Sequence, residues 1–444
     1  MTRVASLLLA GVLLVGCSSA RGTSAAPVTS TTVPSTTSTT TSSTTTTTRP
    51  ADAARTCTPW RDRPVSAKAA SLTKVLAAHL LDPRFAGTRI SASVWVDGLG
   101  EVLADHPDDR LPVASNEKLL TTAGVLESLP LSATLDTEVR LDPASGNLVL
   151  VAGGDPTLTI NGPHSLDALA LLVRAAGITQ VRGGLVVDDT HFDRARTAPG
   201  WGDDQVPAYV GPMSAFMVDD NRYRTDPAFL AEPALGNGET FLARLAAVGV
   251  TVAGRLTLGT APASATHVAT LASPSIGDLL TRMLLTSDNE IAETLTREAG
   301  ARLTGVGSTP AGTGVLAERL RKDCAPVDTG GWTDGSGLSH SDVRSARELR
   351  RLMEFARTKR WWHDLVSRLP VAGRSGTLSL RFRGTAAEGR VRAKTGTIIG
   401  GATLTGALKT ASGRRAVFSV LLNGPQASVA MHAVDDLIAA LAAS

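Results

Sequence analysis

Three short polar motifs, Ser115-Asn116-Glu117-Lys118, Ser287-Asp288-Asn289 and Lys394-Thr395-Gly396, stand far apart in the chain. Any fold in which they act together must bring their segments to one place. Lysine is scarce here: Lys68, Lys74, Lys118, Lys322, Lys359, Lys394 and Lys409 are the whole set. Asparagine is as scarce, so the three motifs in order are expected by chance in on the order of one chain in several hundred. Singly each has an ordinary reading: a helix cap for Ser115, an Asx-type turn for 287–289, an exposed strand lysine for Lys394. Ser71-Leu72-Thr73-Lys74 repeats the first spacing on the polar side of a helical stretch, which shows how little one motif means.

Jointly they describe a chemistry. A serine hydroxyl is a poor nucleophile until a neighbouring base takes its proton. Ser115 and Lys118, at i and i+3, share a helix face, so the amine reaches the hydroxyl. Lysine serves as base only if its pKa falls, through burial or a nearby cation, and Lys394 is the candidate cation. Backbone N–H groups at the start of a helix face a forming oxyanion. Ser287 can relay a proton to a leaving amine, and Asn289 can hold a substrate amide. On its strand, Gly396 lets a substrate backbone approach, Thr395 and Thr397 offer hydroxyls, and Lys394 offers charge to a terminal carboxylate. A cation in the first helical turn opposes the dipole, which Glu117 can offset.

The surrounding pattern supplies the elements these motifs need. Apolar residues from Val65 to Leu81 recur at helical spacing, and Ile90 to His106 reads as a hairpin. The middle of the chain alternates strands and helices: strands over 131–158, a helix over 166–178, a strand over 183–189. After Ala272 two helical segments flank Ser287–Asn289. Strands over 389–401, 402–410 and 416–424, joined by short turns, imply an antiparallel sheet, and Asp435 to Ala443 closes as a helix. The organisation expected is a body of 53–132 and 265–444 interrupted by an inserted α/β segment, 133–264.

Ahead of this body, Val4 to Val15 is an apolar run of signal-peptide length, and Cys17 directly follows Gly16 at its end. Residues 1–17 read as an export signal with a lipobox-like end, in which Cys17 is the candidate lipidated residue; an ordinary cleavable signal is the alternative. Residues 18–52, rich in Ser, Thr and Pro, read as a disordered tether with an r.m.s. span of roughly 30 Å. In an exported protein the remaining cysteines, Cys57 and Cys324, are expected to pair, the alternative being two buried thiols. A net charge of +3, with no basic run interleaved with aromatics, gives no argument for nucleic acid. The eight histidines are scattered, with no His-Glu-x-x-His, so neither metal nor cofactor is implied.

From about Thr73 to Gly424 the chain resembles the D-alanyl-D-alanine carboxypeptidase/endopeptidases of the low-molecular-mass class C penicillin-binding proteins. Beyond the three motifs, Gly153 to Leu158, Val187 to Asp193, Gly200-Trp201 and Asp334 to Ser339 carry the resemblance. These acidic stretches otherwise read as solvated turns. The resemblance implies an α+β, multidomain penicillin-binding-protein/serine β-lactamase-like fold: an antiparallel sheet flanked by helices, an all-helical subdomain and an inserted α/β domain. It implies Ser115 as acylated nucleophile, Lys118 as general base, Ser287 and Asn289 as the second element, and Lys394, Thr395, Gly396 and Thr397 as the substrate-binding strand. The N–H groups of Ser115 and Thr397 would form the oxyanion hole. The substrates implied are D-Ala-D-Ala-terminated peptidoglycan stem peptides, with D-amino-acid cross-links as a second class and β-lactams as covalent inhibitors. The insertion is shorter than in better-known members, so a third domain is expected to be reduced. Two alternatives stand beside this reading. A class A β-lactamase needs Glu-x-x-Leu-Asn after the second motif, and no Asn lies between Asn289 and Asn423. A catalytically inactive wall-binding lipoprotein would have no use for a complete triplet.

Overall fold

The computed structural model describes Cys57, Trp60 and residues 65–202 and 204–444. The leader, Cys17 and the tether lie outside the described residues. The first part runs α1 (Ala70–His79), β1 (Arg89–Val96), β2 (Gly100–Asp105) and α2 (Glu117–Ser128). The middle part runs β3 (Thr137–Leu141), β4 (Leu148–Ala152), α3 (Leu166–Ala175), β5 (Leu185–Asp188), α4 (Pro233–Ala247), β6 (Leu256–Leu258) and β7 (Thr266–Leu271). Then come α5 (Ile276–Thr286), α6 (Asn289–Thr304), α7 (Thr309–Lys322), α8 (Ala346–Ala356), β8 (Arg392–Ile398), β9 (Gly401–Lys409), β10 (Arg415–Asn423) and α9 (Ala427–Ala443).

The main sheet has the order β8-β9-β10-β1-β2 and is antiparallel throughout. Its central strands are buried on both faces, which explains their nearly unbroken apolar runs. Strand alternation sends Val417 and Leu421 to the side of α2 and α8, with Leu119, Leu120, Leu349 and Met353. Phe418, Val420 and Leu422 go to the other side, against Leu76 of α1 and Leu437 and Leu441 of α9. Each such side chain contributes about 2 kcal/mol on burial. On the α8 side, Ser93 accepts from Arg350 and donates to Glu101, and Thr405 pairs with Ser419 at 2.7 Å, so these buried hydroxyls are satisfied.

The middle segment builds a second, mixed sheet in the order β7-β3-β4-β5-β6, with β4-β5 and β5-β6 parallel. Leu166, Leu169 and Val173 of α3 and Phe241 and Leu245 of α4 cover it. Thr266–Leu271 completes this sheet by pairing with β3, although it lies beyond residue 264, the expected end of the inserted segment.

Several element ends differ from expectation, most of all those of the first and last helices. The first helix begins only at Ala70, after a 3₁₀ turn whose Lys68 N–H is capped by the Ser66 hydroxyl. The last helix begins at Ala427, not Asp435, because Ala427, Ala430, Met431 and Val434 already bury one face. Among the described residues no helix is long and apolar enough to cross a membrane.

Candidate active site

Ser115 does not cap its helix. Ala114 takes φ 48, and Ala114–Asn116 forms a 3₁₀ turn that runs straight into α2. The Asn116 amide donates to the Thr403 hydroxyl, which itself donates to the Val113 carbonyl at 3.1 Å. The turn is thus stitched to β9, leaving the half-buried Ser115 hydroxyl beside Lys118, with 3.0 Å between Oγ and Nζ.

Lys118 is fully buried, and its Nζ makes two further bonds, to Asn289 Oδ1 and to the Ser336 carbonyl, both at 2.7 Å. Those two partners can only accept. A neutral amine that donates to both has its lone pair left for the Ser115 hydroxyl. Burial pushes Lys118 down to about 8, against the raising influence of Asp334, Asp288, Glu290 and Glu293. Glu117 opens the first turn of α2, where it is buried and paired with Arg344 at 2.7 Å. A buried carboxylate needs such a partner, and the guanidinium supplies a two-point contact.

The second motif divides its labour. Asp288 caps α6, its carboxylate accepting from the Ile291 N–H at 2.9 Å. Ser287 sits just before it with φ 66, in the left-handed region that a non-glycine residue occupies only when its surroundings impose it. Its hydroxyl accepts from Lys394 Nζ at 2.9 Å. Asn289 bonds Lys118 through its oxygen and the Tyr209 carbonyl through its nitrogen at 2.8 Å.

Lys394 is as buried as Lys118, and its second bond goes to the Thr395 carbonyl at 2.7 Å. Burial, and then the charge of Lys118, hold its amine well below the usual lysine range. Two ammonium groups in one dry site disfavour double protonation.

The third motif lies on the edge strand of the main sheet. Below Thr395 that edge is occupied by the protein itself: the Ala393 N–H donates to Pro370, and the Ala372 N–H to Val391. In an antiparallel ladder the N–H and C=O of one residue point the same way, alternating along the strand. Thr395 and Thr397 therefore point their backbone groups outward, as Ala393 does. Beside Thr397, Ile398 and Ile399 lies a cavity of about 400 Å³, closed on its other side by Asp204, Tyr209 and His340.

Direct hydrogen bonds join Ser115, Lys118 and Asn289 in one set and Ser287, Lys394 and Thr395 in another, and the second motif, which holds both Ser287 and Asn289, brings the two sets side by side. The decoy pair Ser71 and Lys74 is exposed on α1. Cys57 and Cys324 form a disulfide, with Cα atoms 5.4 Å apart. The acidic stretches are not solvated turns: Asp155, Asp188 and Asp334 are all buried, and Asp188 is the last residue of β5. Asp334 accepts from the N–H groups of Ser336, Gly337 and Ser339 and from the Trp201 indole, and so folds 334–339 into a loop that presents the Ser336 carbonyl to Lys118. A backbone carbonyl leaves no signature in sequence, so neither Ser336 nor Tyr209 was visible as a partner.

The D-Ala-D-Ala carboxypeptidase 3 (S13) family profile matches residues 72–228 and 227–444. A D-alanyl-D-alanine carboxypeptidase of Actinomadura sp. is 33% identical over 463 residues, covering 84% of each chain. A carboxypeptidase of Mycobacterium tuberculosis is 31% identical over 414 residues, covering 87% of each. The crystal structure of penicillin binding protein 4 from Haemophilus influenzae superposes with a TM-score of 0.71 at 19% identity, covering 83% of this chain and 99% of that one, so the α+β fold is shared. On these matches the chain belongs to the D-Ala-D-Ala carboxypeptidase 3 family of serine peptidases.

Proposed function

We propose that this protein is an exported serine D,D-carboxypeptidase that removes the terminal D-Ala from peptidoglycan stem peptides through an acyl-enzyme on Ser115. D-amino-acid cross-links are its second substrate class. The contact between Ser115 Oγ and Lys118 Nζ, oriented by two acceptors, is the observation that carries the reading. Ser115 Oγ attacks the carbonyl of the penultimate D-Ala while Lys118 takes its proton. The developing oxyanion accepts from the N–H groups of Ser115 and Thr397. As the C–N bond breaks, the proton passes from Lys118, with Ser287 as relay, to the departing D-Ala amine. Water then enters the vacated side, and the same base activates it to release the shortened peptide.

The terminal carboxylate is received at Thr395 and Thr397, within the field of Lys394. A bound carboxylate favours the charged form of Lys394 and thereby leaves Lys118 the neutral partner. Export rests on the leader, and Cys17 with the 18–52 tether places the enzyme on a lipid anchor at the outer face of the membrane. The inserted segment extends in this reading to Leu271, because β7 belongs to its sheet. No metal or cofactor takes part in the scheme.

The decisive experiment is labelling with a fluorescent penicillin. Wild type and Ser71→Ala should label equally, and Ser115→Ala not at all. Label retained in the Ser115 variant would end the assignment.

A further inference from the structure

A segment that no motif marks sits against Thr395. Residues 370–378 run along the outer edge of β8, bonded to Val391 and Ala393, and end in a 3₁₀ turn, Gly376–Leu378. Leu378 is fully buried and anchors that turn in the core between the main sheet and α9. Gly376 takes φ 55, and a Cβ there would lie 2.6 Å from the Leu285 carbonyl, so the turn is pressed onto the last turn of α5, directly before Ser287. Between these two fixed points stands Thr377, exposed, with its hydroxyl 2.8 Å from the Thr395 hydroxyl. It stands where the protein stops covering the strand edge and the open stretch at Thr395–Thr397 begins.

We propose that Thr377 is a positioning residue for recognition of the substrate's terminal carboxylate, acting through Thr395. This rests on the carboxylate reading above. A hydroxyl has one proton to give and two lone pairs to accept with. In the free protein Thr395 donates to Thr377. A carboxylate at Thr395 can only accept, so Thr395 must turn its proton to the ligand, and its oxygen is then left for a donor. Thr377 is that donor: its O–H rotates to Thr395, and the two hydroxyls form a chain whose bonds strengthen one another. Because the turn is tied at both ends, the Thr377 oxygen waits at bonding distance and no backbone has to move. Ligands with no carboxylate leave the chain unreversed and should be indifferent to it.

The test compares Thr377→Val, which keeps the shape and loses the hydroxyl, with Thr377→Ser, which restores it. Each is assayed on a D-Ala-D-Ala peptide with a free C-terminus and on the same peptide amidated. Thr377→Val should raise KM for the free acid about tenfold, the size expected when one charge-assisted hydrogen bond is weakened. It should change kcat and the amidated peptide less than twofold, and Thr377→Ser should return KM to within twofold of wild type. An equal loss on acid and amide, no loss on the acid, or no rescue by serine overturns the role of Thr377. A wild type that does not prefer the acid overturns the carboxylate reading itself, and the inference with it.

Discussion

A Cβ built on Gly396 would lie 3.0 Å from the backbone nitrogen of Ser115 and well inside van der Waals contact with the Thr403 hydroxyl. The glycine of the third motif is thus required by the first motif's turn, which packs against it, and not only by an approaching substrate. Gly337 has the same role from the other side, since a Cβ there would collide with the Ala114 carbonyl. The nucleophile turn is held between two glycines from distant segments.

Gly396→Ala should therefore damage the site from within. Overpacking of this kind costs about 1–3 kcal/mol, and relief by shifting the Ser115 turn misplaces its N–H. The variant should stay folded with a melting point lowered by a few degrees, while its rate of penicillin acylation falls about a hundredfold, the scale for one lost oxyanion donor. Stopped-flow labelling beside a thermal melt separates the two effects. Wild-type acylation by the alanine variant would show that the turn tolerates the methyl group.

The pH dependence of acylation follows from Lys118. Its amine, brought down by burial to about 8, acts as base only when neutral. The sign is fixed: below pH 8 the folded protein holds the proton and acylation falls, about tenfold per unit well below the midpoint, while above it the rate levels off. Second-order rates for peptide acylation, which report the free enzyme, should show this rising limb. A rate independent of pH between 6 and 9 would remove Lys118 from the role.

Sequence reasoning reached the motif residues because their chemistry lies in their side chains. It reached the antiparallel sheet because three strand-like runs follow one another with only short turns between them, but not that Val417 and Leu421 serve one core while Phe418 and Val420 serve another. It placed Ser115 at the start of α2, but the 3₁₀ turn and the φ of Ala114 depend on Gly337 and Thr403, far away in the chain. Glu117 shows the same limit. Its position suggested a dipole effect, whereas its partner Arg344 comes from a strand paired with the segment just before Ser115. Asp334 looked like a surface turn residue because nothing local reveals that its acceptors are filled by loop N–H groups and by Trp201 from the inserted segment.

The disulfide should stabilise the body without taking part in the chemistry. Cys57 and Cys324 are 267 residues apart, and a loop of that length, closed in the unfolded chain, is worth about 2–4 kcal/mol once strain is allowed for. Replacing both cysteines by serine should lower the denaturation midpoint and leave acylation within twofold of wild type. Denatured, non-reduced protein in which both cysteines titrate as free thiols would contradict the bridge.

The last prediction concerns what happens after a β-lactam has acylated Ser115. The peptide's leaving amine diffuses away and opens one face of the ester to water, but a β-lactam's amine remains tethered and blocks that face. Rapid hydrolysis then needs a second base on the opposite side, in practice a free carboxylate. Asp334, Asp288, Glu290 and Glu293 are the carboxylates that act most strongly on Lys118. Each is already committed. Asp334 is wrapped by loop N–H groups, Asp288 caps α6, Glu290 bonds Gly211 and Arg222, and Glu293 bonds Gly335 and Thr309. Burial, followed by the charge of Asp288, also raises Glu290 to about 7, which weakens it further as an anion at neutral pH. A penicilloyl group on Ser115 should consequently persist for minutes or longer while D-Ala-D-Ala peptide is turned over repeatedly. Intact-mass spectrometry after a stoichiometric pulse of benzylpenicillin should find one stable adduct on the Ser115 peptide. Loss of that adduct within seconds, with free penicilloate accumulating, would mean that one of these carboxylates is released from its partners to act on water, and the enzyme would then be a β-lactamase.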